Sequence, residues 1–292
     1  MKIKVSATPF RSSIKNRIEG IQYDIPCILF LIMDIGNWII NIAYRELLAI
    51  LLEETMKLIK MSEYRDDILI KEYYVNHFDE LNGTYKEWFY DGTIYLEENY
   101  KNDERHGRCT EYYENGKVKE DVHYIKGKLD EICRWYFENG NIRVEQEYKE
   151  GIRNGMFKDY YSNGSIRREG GYKEGKREGI WKLYYENGQL HLEENYIDGK
   201  LEGKYKNYYE NGQLEAQGNY KNNYLEGMFV TYYKNGKLKS KGNLKACLED
   251  GEWLRYDEKG NGKKEIYNKG NLVDTILLKK KIIKKQENEL EL

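Results

Sequence analysis

Short alternating runs of hydrophobic and polar residues fill most of this chain, and glycine-containing dipeptides separate the runs at a constant interval. The interval is 24 residues, marked by the turn glycines Gly92, Gly116, Gly140, Gly164, Gly188, Gly212, Gly236 and Gly260. Asn or Asp precedes seven of these glycines, and Lys precedes the last one. A second glycine stands nine residues before each turn glycine, except that Glu131 takes its place in one copy. Eight copies in phase between residues 83 and 274 predict a repeat architecture.

Each copy is predicted to be a β-hairpin, because Asn-Gly between alternating segments favours a two-residue type I′ turn. In the copy from 179 to 200 the predicted order is strand, tight turn, strand and longer loop, with the sequence GIWKLYYE, NG, QLHLEENY and IDGK. A two-residue loop also fixes which residues lie opposite each other. The predicted pairs are Trp181–Glu194, Lys182–Glu193, Tyr184–His191, Tyr185–Leu190 and Glu186–Gln189.

One face of the predicted sheet is hydrophobic along its whole length. Counted from the turn glycine, positions −7, −3, +2 and +8 are apolar or aromatic in nearly every copy, and in the copy above they are Trp181, Tyr185, Leu190 and Tyr196. Side chains of one strand alternate between the two faces, and cross-strand neighbours share a face. We therefore expect these four positions to form the core.

The opposite face carries charges and a second row of aromatic residues. Position −6 is mostly Lys or Arg and lies opposite an acidic residue at +5, while position −4 is aromatic in all eight copies. We expect cations such as Lys119, Arg143, Arg167, His191 and Lys239 to lie over the position −4 rings. The row either binds another protein or only stacks ring on ring along the array. The candidate binding residues are Trp88, Tyr112, Tyr136, Tyr160, Tyr184, Tyr208 and Tyr232.

The segments outside the copies are less regular. Residues 1–63 are expected to be partly helical, with an amphipathic helix from 38 to 60, and residues 64–82 to form a leading strand that caps the first copy. Residues 275–292 are expected to form a charged tail, with a short amphipathic helix or cap over 275–286. The apolar run at 25–33 is shorter than the ~20 residues a bilayer span needs. In an alternative interpretation, translation starts at Met56 or Met61, and the residues upstream have no selected structure.

The repeated pattern Tyr-Tyr-x-Asn-Gly-x-Leu, followed by Tyr and by Gly-Lys-x-Glu-Gly, resembles the MORN-repeat family and in particular its bacterial variant type. The resemblance covers residues 83 to 274. It implies an all-β fold, an elongated and twisted antiparallel sheet of eight successive hairpins, in agreement with the alternation. It offers no catalytic residues. It implies that such arrays serve in protein–protein interaction, some bacterial members as antitoxins of toxin–antitoxin pairs and others as membrane-associated scaffolds.

The composition narrows the classes of function. Only 40% of the residues are hydrophobic and 34% are charged, yet 29 tyrosines supply the bulk that disordered chains lack. Lys and Arg (48) nearly balance Asp and Glu (50), so the basic surface that nucleic acid requires is not expected. The four cysteines lie far apart and form no Cys-x-x-Cys pair. We therefore expect reduced cysteines, no metal site and a reducing compartment.

No catalytic constellation is apparent in the sequence. The four histidines are scattered, and no glycine-rich phosphate loop or kinase-type metal carboxylate is present. The sequence therefore predicts a non-enzymatic array without cofactors, in a bacterial cytoplasm, that binds another protein. If the antitoxin resemblance holds, that protein is a toxin. The alternative is a peripheral membrane or envelope-associated scaffold, attached through residues 25–44 and the lysine-rich segment 279–285.

Overall fold

The computed structural model describes residues 4–5, 45, 47–50 and 57–278. The predictions made for 25–44, for a start at Met56 and for 279–292 lie outside these residues. The chain divides into two compact units, residues 1–128 and 129–292. The structure thus adds a division inside the repeats, whereas the sequence placed boundaries only at their ends.

The first unit is an antiparallel meander in which each strand pairs with a neighbour along the chain. Strands β6 and β7 are two parts of one interrupted strand, and both pair with β5. The strands are β1 (Lys4–Val5), β2 (Ile59–Arg65), β3 (Ile68–Val75), β4 (Leu81–Trp88), β5 (Ile94–Lys101), β6 (Glu104–Arg105), β7 (Gly107–Tyr112) and β8 (Val118–Ile125).

The second unit follows the same plan. Strands β17 and β18 are likewise two parts of one interrupted strand, and both pair with β16. The strands are β9 (Lys128–Tyr136), β10 (Ile142–Lys149), β11 (Ile152–Tyr160), β12 (Ile166–Lys173), β13 (Lys176–Tyr184), β14 (Leu190–Ile197), β15 (Lys200–Tyr208), β16 (Leu214–Lys221), β17 (Tyr224–Leu225), β18 (Gly227–Tyr232), β19 (Leu238–Lys245), β20 (Leu248–Tyr256), β21 (Gly262–Asn268) and β22 (Asn271–Leu278). The predicted all-β fold of antiparallel hairpin repeats is confirmed.

Both ends of the repeat region differ from the predictions. The expected leading strand is β3, but β2 precedes it, so that a complete hairpin pairs with the first repeat. Helical backbone is found at 45 and 47–50, and the predicted helix cannot extend to residue 60 because Ile59 and Lys60 belong to β2. At the other end, Thr275 to Leu278 complete β22, since their backbone pairs with β21 instead of turning into a helix or cap.

The Asn-Gly turns are not the predicted type I′ turns. The Gly188 N–H donates to the Tyr185 carbonyl at 2.9 Å, and the Tyr185 N–H donates to the Gln189 carbonyl at 2.8 Å. Of Asn187 and Gly188, only the glycine has a positive φ, 84°. The loop therefore has three residues, a type I turn followed by a left-handed glycine. Asn187 contributes its side chain, whose Oδ1 accepts the Gln189 N–H at 2.9 Å.

Type I′ turns occur instead at the connections between repeats, where the sequence suggested longer loops. Ile197 lies opposite Lys200, which leaves Asp198 and Gly199 as a two-residue loop. Both residues have positive φ, 51° and 78°, as a type I′ turn requires. Asp-Gly thus marks the tighter of the two turns in this repeat.

The three-residue loop changes part of the predicted register. Tyr184 lies opposite Leu190 rather than His191, while the predicted pairs Lys182–Glu193 and Trp181–Glu194 are confirmed. His191 is the extra residue of a β-bulge, which compensates for the extra loop residue and restores the register. The first seven repeats all show this shift, and the eighth hairpin runs without it.

Aromatic residues on the predicted core face are buried. In the second unit Phe157, Trp181 and Tyr196 form one cluster with Tyr172 packed against it. The Phe157 and Trp181 rings stack with centroids 5.4 Å apart, and Tyr172 meets Trp181 edge-on at 5.2 Å. The Trp181 ring can lie this close to its neighbours because Gly170, opposite Phe157, has no Cβ on the side that faces the ring. The core stripe is therefore confirmed at positions −7 and +8.

The tyrosines at position −3 have a different role from the one predicted. Their hydroxyls donate to backbone carbonyls 23 residues farther along the chain, at 2.7 to 2.9 Å. They lie beside the three-residue turns and are half-buried, so they tie neighbouring repeats together rather than filling the core. These tyrosines are Tyr161, Tyr185, Tyr209 and Tyr233.

A second set of hydrogen bonds joins the repeats at the type I′ turns. The Gly199 N–H donates to the Arg177 carbonyl at 2.9 Å, and the Asp198 N–H donates to Glu178 Oε2 at 2.8 Å. Glu178 is the acidic residue of Gly-Lys-x-Glu-Gly, so this motif positions the next turn. Gly179 then turns the chain with a φ of 73°, and Glu131 adopts the same unfavourable conformation with a φ of 62°.

Candidate functional site

The predicted binding residues occupy equivalent places in their hairpins. Each is the last residue of the first strand of its hairpin, and each is half-buried. Trp88 and Tyr112 belong to the first unit, and the other five belong to the second. We call the side of the sheet that carries positions −8, −6, −4 and +5 the tyrosine face, and the side with Trp181 the core face.

The hydroxyls of Tyr112 and Tyr184 are held by the hairpin that comes before. Tyr184 Oη donates to Glu169 Oε1 at 2.7 Å, and Tyr112 Oη donates to Glu97 Oε2 at 3.2 Å. Both acceptors are position +5 residues, so the bond joins consecutive repeats. Partial burial and the hydrogen bond to Glu169 raise the pKa of Tyr184 well above its usual value. The ring is therefore presented in a fixed orientation with its hydroxyl protonated.

Two of the charge pairs predicted on the tyrosine face form ion pairs across their hairpins. Lys86 Nζ lies 2.5 Å from Glu97 Oε1, and Arg134 Nε lies 2.7 Å from Glu145 Oε2. The hydrogen bond from Lys86 lowers the pKa of Glu97. Because these pairs are partly exposed, they contribute ~0 to 1 kcal/mol each and serve mainly to hold the acceptor of the tyrosine hydroxyl in place.

The predicted cations over the position −4 rings are wrong. Position +3 is the bulge residue, and the register shift places it beside position −3 instead. His191 stacks on Tyr185 with centroids 4.2 Å apart, and Lys239 Nζ lies 5.7 Å from the centroid of Tyr233. Arg167 pairs with the buried carboxylate of Asp159 at 2.8 Å. The outer part of the position −4 rings is therefore not covered by these three side chains.

A row of exposed apolar side chains on the tyrosine face was not predicted from the sequence. These residues occupy position −8, and their exposed fractions are 42% for Ile132, 51% for Met156, 57% for Ile180 and 45% for Met228. Each directly precedes the core residue at −7, so the sequence contains apolar doublets such as Met156-Phe157 and Ile180-Trp181. Such a doublet breaks the alternation and could have indicated apolar side chains on both faces.

On the core face, the large rings around Trp181 cover one another. Trp181 retains 5% exposure because Phe157, Tyr172 and Tyr196 surround it and the Arg177 guanidinium lies 4.4 Å from its ring centroid. Arg177 also donates to Tyr196 Oη at 2.9 Å. The large rings of this face therefore satisfy one another, whereas Ile132, Met156 and Ile180 of the tyrosine face contact solvent.

The described residues contain little that suggests chemistry. Among residues 57–278 and the few described before them, no three His, Cys, Asp or Glu side chains are grouped to hold a metal ion. Cys109 and Cys133 are buried free thiols, as predicted, and Cys247 is an exposed one. Buried carboxylates have cationic partners, as when Arg105 Nε lies 2.8 Å from Glu98 Oε2. No helix in the described part of the chain is long and apolar enough to cross a membrane.

Comparison with known proteins agrees with the geometry of the repeats. No curated protein matches the chain significantly. The family described as MORN repeat variant matches seven segments, which together span just over half of the chain. They are residues 81–102, 105–126, 132–150, 153–174, 177–198, 201–222 and 225–246. This is a family of non-enzymatic repeats, and its repeats suggest a protein that interacts with other proteins or with membranes. The chain belongs to the MORN repeat variant family.

Proposed function

We propose that this chain is a non-catalytic binding protein that holds another protein on its tyrosine face. The observation that carries this proposal is the exposed row of Ile132, Met156 and Ile180 beside the half-buried tyrosines Tyr136, Tyr160 and Tyr184. Apolar side chains next to oriented tyrosines, with paired charges between them, are typical of protein-binding surfaces.

Tyr112 and Tyr184 are suited to this role because hydrogen bonds set their orientation before binding. Tyr184 is tied to Glu169, so little side-chain entropy remains to be lost when a partner covers its ring. The half-buried position leaves part of the Tyr184 side chain exposed for contact. The alternative interpretation, that the position −4 rings only stack on one another, has less support. The stacked pairs Phe157–Trp181 and Tyr205–Phe229 of the second unit lie on the core face.

The resemblance to bacterial antitoxin-type arrays extends the proposal to the identity of the partner. A toxin encoded beside this gene, in a bacterial cytoplasm, is the partner that follows from it. Expressing the neighbouring gene alone and together with this chain tests this extension. Growth arrest that the chain relieves is the expected result, and a neighbouring gene without effect on growth would contradict it.

Binding to the tyrosine face is tested with two matched variants. Met156→Ser with Ile180→Ser removes two side chains of the apolar row that are about half exposed, so folding should be little affected. Ile152→Ser with Ile197→Ser is the control, since these residues are equally exposed, at 52% and 53%, but lie beside the type I′ turns. Each purified chain is used to capture partners from the cells that express it, with quantification by mass spectrometry.

A partner that is lost with the first variant and retained with the control supports the proposal. Circular dichroism must show that both variants keep the same β-sheet signal. Equal capture by wild type and both variants would contradict binding through this face.

A further inference from the structure

The sixth repeat interrupts the charge pattern of the tyrosine face. In each of the first five repeats the residue at position +5 is acidic, whereas in the sixth repeat it is Gln217. Lys206 at position −6 still lies opposite it. Position −8, which is Ile180 in the repeat before and Met228 in the repeat after, is Lys204 here. The sixth repeat therefore has one cation more and one carboxylate fewer than the pattern provides.

These residues surround a hollow on the tyrosine face, over strands β15, β16 and β18. Its volume is ≈ 400 Å³. Polar side chains line one part of the hollow and apolar side chains line the other. The polar ones are Lys204, Lys206, Gln217 and Asn219, and the apolar ones are Met228 and Val230.

The two lysines of the hollow have no partner of their own. Within residues 57–278, neither Lys204 nor Lys206 forms an ion pair or a side-chain hydrogen bond. Lys206 also lies opposite Glu193 of β14, but Glu193 lies opposite Lys182 on its other side. One carboxylate is thus placed between two ammonium groups, and the hollow keeps an excess of positive charge.

The acidic side chains closest in sequence to the hollow are already engaged. Strands β15 to β19 contain only Glu202 and Glu215. Glu202 Oε2 accepts the Asn222 N–H at 2.8 Å, and Glu215 Oε2 accepts a hydrogen bond from Asn207 Nδ2 at 2.6 Å. Glu226, between β17 and β18, accepts a turn N–H at 2.9 Å. None of the three is left to neutralise the lysines of the hollow.

The missing carboxylate also leaves a tyrosine hydroxyl without an acceptor. In the fourth repeat the position +5 carboxylate, Glu169, accepts the hydroxyl of Tyr184 at 2.7 Å. In the sixth repeat the bond is reversed, because Gln217 Nε2 donates to Tyr232 Oη at 3.4 Å. The Tyr232 proton is not donated to any residue that the structure describes. A hydroxyl donor and two ammonium groups therefore remain for a carboxylate from outside the sheet.

We propose that the hollow receives an acidic side chain of the protein that the tyrosine face binds. This inference rests on the proposed function and specifies the chemistry of the partner at one place. The carboxylate takes the place that Glu169 has in the fourth repeat, between Lys206 and the Tyr232 hydroxyl. Hydrogen bonds of an ionised group are the stronger ones, and Lys204 supplies a second cation. An apolar residue beside the acidic one contacts Met228.

A protein partner suits the hollow better than nucleic acid or a lipid surface does. Both of those bind to extended basic surfaces, whereas the preceding repeats place an acidic residue opposite each cation of this row. The parts of this chain outside the described strands are also less suitable, because neither carries a net negative charge. The segment 279–292 contains five lysines and three glutamates, and residues 1–56 contain six basic and six acidic residues.

Gln217→Glu supplies the missing carboxylate from within the chain. The new side chain should pair with Lys206 and fill the site, so the fold is kept while the site is closed to other carboxylates. Gln213→Glu is the matched control, since it adds the same charge to the same repeat at an exposed turn residue. Gln213 lies four residues from Gln217, ~13 Å along the chain at ~3.3 Å per residue.

The probe is a fluorescein-labelled peptide in which glutamate and leucine alternate, and its matched form has glutamine in place of glutamate. Fluorescence anisotropy with the full chain measures the Kd of each peptide. The glutamate peptide should bind roughly tenfold more tightly than the glutamine peptide, and Gln217→Glu should remove that difference. Gln213→Glu should preserve it. Added salt should weaken binding of the glutamate peptide, because the lysines are partly exposed.

Four results would overturn the proposal. Two of them are equal binding of both peptides to the wild-type chain and an equal loss with both glutamate variants. The third is tighter binding of the glutamate peptide once the chain is ended after Leu278, which would show that segment 279–292 already fills the hollow. The fourth is binding to phosphatidylserine vesicles that Gln217→Glu abolishes, without binding of the peptide.

The outcome is separable from that of the capture experiment. If Met156→Ser with Ile180→Ser loses the partner while the two glutamate variants bind the peptide equally, the proposed function stands and the carboxylate site is wrong. If the partner is retained and only Gln217→Glu loses the peptide, the carboxylate site stands and binding through the apolar row is wrong.

Discussion

Replacing Gly170 by alanine tests whether aromatic packing holds consecutive repeats together. A Cβ at this position would lie 2.3, 2.4 and 2.6 Å from three atoms of the Trp181 ring, whereas real Cβ contacts are essentially never below 3.0 Å. The ring would have to move by at least ~0.7 Å, the difference between 2.3 and 3.0 Å. Gly170 does not have a positive φ, so backbone strain does not contribute.

The cost follows from what fixes the ring. Trp181 Nε1 donates to the Gly171 carbonyl at 3.1 Å, Phe157 stacks on one side of the ring, and Arg177 lies over it at 4.4 Å. Moving the ring therefore weakens several contacts at once. Overpacking of this kind costs ~1 to 3 kcal/mol, and the smaller entropy of the unfolded alanine chain offsets ~0.4 to 1 kcal/mol of it. We expect a net loss of ~1 to 2 kcal/mol.

Urea unfolding followed by tryptophan fluorescence and circular dichroism measures this loss, and Trp181→Ala supplies the control. That substitution alone should cost ~3 to 5 kcal/mol, because it empties the cluster. When Trp181 is already alanine, Gly170→Ala should leave the free energy of unfolding unchanged or raise it slightly. The coupling energy between the two substitutions is then ~1 to 2 kcal/mol. If Gly170→Ala is neutral in the wild-type background, or costs the same in both backgrounds, the packing argument is wrong.

Three further predictions concern the hairpins and their connections. Glu131→Gly should stabilise the chain by ~1 kcal/mol because it relieves a left-handed backbone conformation. Gly179→Ala should destabilise the chain by a similar amount through backbone strain alone, because the added Cβ would have no atom within 4 Å. Thermal unfolding of the two variants checks both values. Tyr185→Phe should cost ~1 kcal/mol because it removes the 2.8 Å bond to the Tyr208 carbonyl, and unchanged protection of the adjoining amides from hydrogen exchange would contradict that role. The pKa of Glu97 is lowered in the folded chain, so its contribution is present above its unfolded pKa and is lost as the pH falls through its folded pKa. Glu97→Gln should therefore flatten the acid side of the stability profile by under ~1 kcal/mol, and an unchanged slope would argue against the pair.

The periodicity predicts the larger part of the fold, because two independent signals carry it. Turn glycines recur every 24 residues, and the alternation between them assigns each side chain to a face. The pairs Lys182–Glu193 and Trp181–Glu194 were correct for this reason. The burial of Phe157 and Trp181 follows from the same alternation.

The turn geometry could not be read from the dipeptides alone. Asn-Gly is compatible both with a type I′ turn and with a type I turn followed by a left-handed glycine. The two turns differ by one loop residue. The bulge at His191 compensates for that residue, so both turns give the same residue pairs in the middle of the strands. The error stayed local, but it moved every position +3 side chain away from the ring it was expected to cover.

The candidate site was predicted only in part. The position −4 row was visible because its residue type hardly varies, whereas the exposed row at −8 mixes Ile132 and Ile180 with Met156 and with Lys204 in the sixth copy. Gly170 was also missed, since it lies outside both series of regularly spaced glycines. Its role depends on the size of Trp181 on the neighbouring strand, which is a three-dimensional relation.

Site-specific photo-cross-linking in living cells tests binding through the tyrosine face most directly. A photoreactive amino acid replaces Ile180 on the tyrosine face, Ile197 beside a type I′ turn, or Leu183 on the core face. The account predicts that illumination yields one dominant covalent adduct with another protein from position 180 and little from positions 197 and 183. Adducts of equal yield from all three positions, or from position 183 alone, would contradict it.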